Sequence, residues 1–108
     1  MEIKIDNTQI PCRVTLKGNM TIYAAAALKD RLIDALNGSE VLEIDLSGVS
    51  GIDTGGIQLL ILAQRHAEKL GKRLQLVAHS RSVLDLIELY RLGGFFSGPS
   101  PLSAKERD

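Results

Sequence analysis

One cysteine, three prolines, no tryptophan and no surplus of charge describe this chain by what it lacks. The lone Cys12 cannot form an intramolecular disulfide, and a single thiol cannot supply a cysteine-based zinc site. Between Pro11 and Arg13 in an extended stretch, it reads as a small strand residue and not as a reactive thiol. Lys and Arg number 13, as do Asp and Glu, and the signs are interspersed. A protein that grips nucleic acid through its phosphates needs a surplus of cations, so no nucleic-acid partner is expected. No apolar run approaches the ~20 residues that span a bilayer, so no membrane insertion is expected either. Met1-Glu2-Ile3-Lys4 is neither a basic leader nor the start of an apolar signal segment, and the expected location is the cytoplasm.

What is present suits one compact domain. The chain has 108 residues, 44% of them apolar. A domain of this size buries roughly two thirds of its unfolded surface, enough for a core without staples. Ile3 and Ile5 alternate with Glu2, Lys4 and Asp6. After the polar link Asn7-Thr8-Gln9, Ile10, Cys12, Val14 and Leu16 alternate in the same way. This is the period of two half-buried strands in an antiparallel hairpin. Pro11 has no ladder donor, which puts the start of the second strand at an edge or in an irregular stretch.

Gly18-Asn19 breaks the alternation, and from Thr21 the period becomes helical, with Ala25, Leu28, Leu32 and Leu36 on one face. Thr21 suits an N-cap, and Asn37-Gly38 tolerates a left-handed stop. Val41–Leu46 reads as a strand. A second helix follows from about Gly56 to Leu70, with Ile57, Leu60, Ile61, Ala63, Ala67 and Leu70 inward and Gln64, Arg65, Glu68 and Lys69 outward. Gly71 ends it, and Leu74–Ala78 is the last strand. Ser80 caps a third helix to about Leu92, with Val83, Leu84, Ile87 and Tyr90 inward. Gly93-Gly94 stops the fold, Phe95-Phe96 tacks down its end, and residues 97–108 form a polar tail expected to be mobile. The expected fold class is α/β: a mixed four-stranded sheet, an N-terminal hairpin then a parallel βαβαβ, with right-handed crossovers and helices mainly on one face.

The most unusual stretch runs from Ser47 to Gly56 and holds four of the ten glycines. It joins a strand to a helix N-terminus, where unpaired backbone N–H groups and the positive end of the helix dipole favour an anion. Either Asp53 or Thr54 is the helix N-cap. In the plainer alternative these two only cap the helix while the glycines satisfy loop geometry, and spacing alone leaves that open. The phosphate-binding pattern Gly-x4-Gly-Lys-[Ser/Thr] is missing, and so is a dinucleotide fingerprint. His66 falls mid-helix on the solvent side and His79 ends the last strand, neither placed near Thr54 or Cys12. Paired carboxylates, metal-ligand spacing and a nucleophile elbow are lacking, so no enzyme, metal or cofactor is expected. A binding module is the better description.

The string from Val41 to Leu60, with Asp45-Leu46-Ser47-Gly48-Val49 and Ile52-Asp53-Thr54-Gly55-Gly56 inside it, resembles the central signature of STAS domains, the family of bacterial anti-sigma factor antagonists. Gly71–Val77 and His79–Tyr90 resemble that family's last strand and last helix. The likeness covers residues 3–96. It implies the STAS fold and a switch by partner exchange. The unmodified antagonist docks on an anti-sigma factor, often a serine kinase with an ATPase-like fold, and phosphorylation at the start of the second helix breaks the docking. The family's motif has Asp, two consecutive Ser or Thr, then Gly, and the second hydroxyl takes the phosphate. Here Asp53 and Thr54 match, but Gly55 holds the phosphoacceptor position. Either Thr54 takes that role, Ser50 or another hydroxyl does, or the switch is absent; we favour an unswitched or differently switched module. Asp53-Thr54-Gly55-Gly56 also resembles the STAS subunit of the phospholipid-asymmetry transporter, which seats on an ATPase subunit, and a chemotaxis-associated STAS scaffold is a third kind. All three imply a contact face of Ser50, Asp53, Thr54, Gly55 and Gly56, with Gln58 and Arg65 on the exposed edge of the helix.

Overall fold

The computed structural model describes residues 1–97. The expected tail thus lies outside the described residues, apart from Ser97. The elements are β1 (Glu2–Asp6), β2 (Cys12–Met20), α1 (Ile22–Asn37), β3 (Val41–Ile52), α2 (Thr54–Lys69), β4 (Arg73–Val77), α3 (Arg81–Leu89) and α4 (Gly93–Ser97). The sheet order is β1-β2-β3-β4, with β1 antiparallel to β2 and the other pairs parallel. Both crossovers step the same way across the sheet. The right-handed rule then sets α1 and α2 side by side on one face, where they pack together.

The alternation in the strands decides which face they cover. Val14, Leu16, Leu42, Ile44, Leu46 and Leu74 point into the core and are at most 4% exposed. The other face is polar, with Arg13 reaching Glu43 at 3.9 Å and Asp45 at 3.6 Å. These partly exposed pairs are worth well under about 1 kcal/mol each. From α1, Ala25, Leu28, Leu32 and Leu36 close the core, the face that the helical period identifies. Val83 and Ile87 of α3 and Phe96 of α4 complete it, with Phe95 edge-on to Phe96 at 5.2 Å.

Several expectations need correcting. Ile10 is 92% exposed, because β2 starts only at Cys12, past Pro11. Gln64 is buried at 6%, while Leu70 and Tyr90 are exposed and Ile61 is only partly covered. A 16-residue helix fixes its buried stripe by the neighbours it meets, and α2 is turned so that residues 56, 60, 63, 64 and 67 face inward. The left-handed stop occurs at Gly71 (φ +70) and not at Gly38 (φ −91). α3 ends at Leu89, and Gly93-Gly94 opens a short helix instead of stopping the fold.

The C-terminus of α1 is closed from outside. The Lys72 ammonium donates to the carbonyls of Leu36 at 2.7 Å and Asn37 at 2.8 Å. A cation is well placed where the helix dipole is negative and carbonyls lack amide partners. Replacing Lys72→Met keeps the stem and removes the donors. We expect a loss of about 1 kcal/mol in urea denaturation with an unchanged circular dichroism spectrum.

Candidate functional site

The Ser47–Gly56 stretch is not a loop. β3 continues through it to Ile52, paired with the end of β2: Lys17 with Gly48, Gly18 with Val49, Asn19 with Gly51 and Met20 with Ile52. The register slips twice, between Thr15 and Lys17 and between Gly18 and Asn19. Each slip gives β3 one extra residue, and each falls at a Ser-Gly pair, Ser47-Gly48 and Ser50-Gly51. An extra residue reverses the side-chain parity. Leu46 and Val49 are therefore both buried although three residues apart, and Ile52 again turns toward the core. At the first slip Asp45 Oδ1 accepts from the Ser47 amide at 2.9 Å and its hydroxyl at 2.7 Å. Those bonds, aided by Arg13, hold the Asp45 carboxyl below the usual range. At the second slip Ser50 Oγ donates to Asn19 Oδ1 at 3.3 Å, and Ser82 Oγ of α3 donates to the Ser50 carbonyl at 3.1 Å. A Cβ at Gly51 would come within 2.6 Å of Asn19 Oδ1, so a side chain there would displace the Asn19 amide that accepts from Ser50.

Beyond Ile52 the two β-α junctions are joined. Asp53 is the N-cap of α2: its Oδ1 accepts from the Gly56 amide at 3.0 Å. Its Oδ2 accepts from the Ile22 amide at 3.1 Å, in the first turn of α1. The Asp53 amide donates to the Met20 carbonyl at 3.3 Å. Thr21 caps α1 as expected, accepting from the Ala24 amide at 3.3 Å. One carboxylate thus caps two helices whose positive ends lie side by side, where a negative charge is favourable to both.

Gly55 and Gly56 make this closeness possible. A Cβ at Gly55 would meet Ile22 Cα and Cβ at 2.5 Å, and one at Gly56 would run into the Met20 carbonyl oxygen and Ile52 Cγ1. The close approach at these glycines is therefore made within the chain, by α1 and the end of β2. Ile22, Met20 and Asn19 belong to the corner although sequence reading left them out. The signal was available in part: glycine within a strand pattern marks a bulge or a close backbone approach.

Ser50, Asp53, Thr54 and Gln58 are all exposed, and Gly55 is partly covered. Thr54 is the first residue of α2, and its hydroxyl makes no hydrogen bond among the described residues. His79 is half-buried between β4 and α3, and that burial pushes its pKa below 6.5. Among the described residues no group of three or more His, Cys, Asp or Glu could hold a metal ion, and no helix is long and apolar enough to cross a membrane.

A one-sided sheet of this order, with two helix N-termini joined at the carboxyl ends of its strands, defines a small α/β domain. Residues 3–98 match the family model described as "Mlab, STAS domain", and the chain belongs to the STAS-domain family. An anti-sigma factor antagonist from Mycobacterium paratuberculosis shares its fold at 24% identity and TM-score 0.78, covering 99% of this chain and 94% of that one. The unphosphorylated anti-sigma factor antagonist SpoIIAA is similar at 16% identity and TM-score 0.74, over 98% and 95% of the two chains. Part of SLC26A9 is also similar, at 20% identity and TM-score 0.65, over 80% of this chain and 16% of that one. No curated protein sequence matches the chain significantly.

Two substitutions measure how the corner is held. Asp53→Ala removes the cap of α2 and the bond to the Ile22 amide and should cost about 2 kcal/mol in urea denaturation, while Asp53→Asn keeps one acceptor and should cost about half of that. Gly55→Ala should cost about 1–3 kcal/mol by overpacking against Ile22, whereas Gly94→Ala, whose Cβ meets nothing within 4 Å, should leave the midpoint unchanged.

Proposed function

We propose that this STAS domain is a non-catalytic interaction module of bacterial regulation, working in the cytoplasm. In this reading it docks on an anti-sigma factor or serine kinase-like partner through Ser50–Gly56 and the start of α2. The observation that carries the reading is the free, exposed hydroxyl of Thr54, held at the head of α2 by the doubly bonded Asp53. A neutral hydroxyl on a stiff corner suits an interface that a phosphate would disrupt through bulk, desolvation and repulsion from partner carboxylates. Gly55 has no hydroxyl and faces Ile22, so Thr54 is the candidate phosphoacceptor if this module is switched.

A second reading, a STAS subunit seated on a phospholipid-transport ATPase, is favoured by Gly55 at the usual acceptor position and by the match to the "Mlab, STAS domain" model. Thr54 is then a docking residue without a switch. The partner's identity separates the two readings.

The test is quantitative affinity isolation of tagged wild type and Thr54→Glu from the native cells. The substitution should lower recovery of the partner at least tenfold while the purified variant melts within a few degrees of wild type, since a carboxylate is tolerated at a helix N-terminus. Equal recovery sinks the docking role of Thr54. A kinase-like anti-sigma factor in the isolate supports the first reading and a transporter ATPase the second. Stoichiometric phosphate on Thr54 in the native protein establishes the switch.

A further inference from the structure

An apolar groove lies beside the corner, between the outer faces of α1 and α2. Ile22, Ala26 and Lys29 line it from α1, and Gln58, Leu59 and Leu62 from α2. Gly55 closes one end, where α1 touches α2, and the His66–Asn37 contact at 3.4 Å ties the two helices together further along. Ile22 is 57% exposed and Leu62 39%, so large apolar surface faces water here. The groove is shallow, with a volume of about 230 Å³. That is below the roughly 300 Å³ at which small-molecule sites begin, and it fits one or two apolar side chains.

The rim is basic. Lys29 stands in the groove wall, and the outward row of α2 continues from Gln58 and Leu62 to Arg65 and Lys69. Among the described residues none of these three cations pairs with a carboxylate. The positive ends of both helices lie at the Gly55 end, and Asp53, the anion there, is occupied by the Ile22 and Gly56 amides. Asp30 is about 100° from Lys29 around α1 and stands beyond Ala26 at the outer edge of the groove, so Lys29 is the charge that faces its floor. Apolar floor and unpaired cations together select an occupant with the opposite pattern.

Resting on the docking reading above, we infer that this groove extends the docking surface and receives an amphipathic helix of the partner protein. That helix lays one large apolar side chain between Ile22 and Leu62 and sets a carboxylate against Lys29 and Arg65. Helix-in-groove recognition works in this way, with apolar anchors at helical spacing for affinity and rim charges for register and selection. The chain's own α3 also exposes an apolar residue, Leu89, near Asp85 and Glu88. A second copy could present that pattern only through a nine-residue helix with its acids at 85 and 88, and capture of a second copy is one of the outcomes that overturn the inference.

The experiment places a photo-crosslinking benzoylphenylalanine at Leu62, and separately at Ala26, in the full chain in its native cells. Ser50 at the tip and Gln75 on the polar sheet face serve as comparison positions. Purified variants are first checked for a wild-type melting curve, and Ala26 substitutes for Leu62 if the latter unfolds. The expected result is one partner protein captured from Ser50 and from the groove but not from Gln75. Its groove adduct maps to a helix that carries an apolar residue and a carboxylate, and Lys29→Glu lowers that adduct at least fivefold. Capture from Ser50 with none from the groove overturns this inference and leaves the docking reading standing. Capture from neither position overturns both. A groove adduct with a second copy, with lipid, or with a segment lacking a carboxylate overturns the inference, as does an adduct yield indifferent to Lys29→Glu.

Discussion

A single carboxylate between two helix ends organises the molecule. α1 and α2 start at the same edge of the sheet and run side by side, so their positive ends lie together and repel. Asp53 sits between them and accepts one amide from each. It offsets the repulsion and satisfies two donors that would otherwise need water. Its own amide is bonded to the end of β2, so the carboxylate is fixed at both ends of its residue. Glycine at 55 and 56 lets α1 come close enough for this bond, and the bulges in β3 deliver Asp53 to the right height. Each of these parts contributes to holding the two junctions together.

Much of this was legible in the sequence, and the failures share a cause. Ile3, Ile5, Val14, Leu16, Leu42, Ile44 and Leu46 carry the two-residue period of the sheet, and Leu28, Leu32 and Leu36 the helical one, because each element buries a single face. Thr21 and Ser80 were recognisable as caps from their place before apolar periods. The extension of β3 was not, since Ser47-Gly48 and Ser50-Gly51 look like turns and each interrupts the alternation that identifies a strand. Only pairing with β2, more than 25 residues away along the chain, turns those interruptions into bulges. The burial of Gln64 and the packing of Ile22 against Gly55 are likewise tertiary facts, which local patterns cannot carry.

The same geometry changes the meaning of Gly55. In the sequence it stands where the resemblance implies a hydroxyl. In the fold it is the surface on which α1 rests, and a side chain there has to displace the Ile22 backbone. Glycine at this position and the tight union of the two helices are one feature with two descriptions. A chain that gained the hydroxyl would have to loosen the corner to accommodate it, so the two properties are exchanged together.

Thr54 lies outside that constraint, which makes the balance of charge at its hydroxyl informative. A phosphate there would gain about 0.3–1 kcal/mol from the end of α2. It would also face the neighbouring Asp53 carboxylate. In a water-like dielectric, two negative charges against one on neighbouring residues cost roughly 1 kcal/mol. The terms nearly cancel, and Asp53 is already neutralised in part by its two amides, so the fold itself is close to indifferent to the modification. Any large consequence must therefore fall on whatever rests against Thr54. In the docking reading, an exposed corner whose own fold is nearly indifferent to a phosphate transfers the energetic effect to the complex, which is the physical requirement for control by binding and not by unfolding.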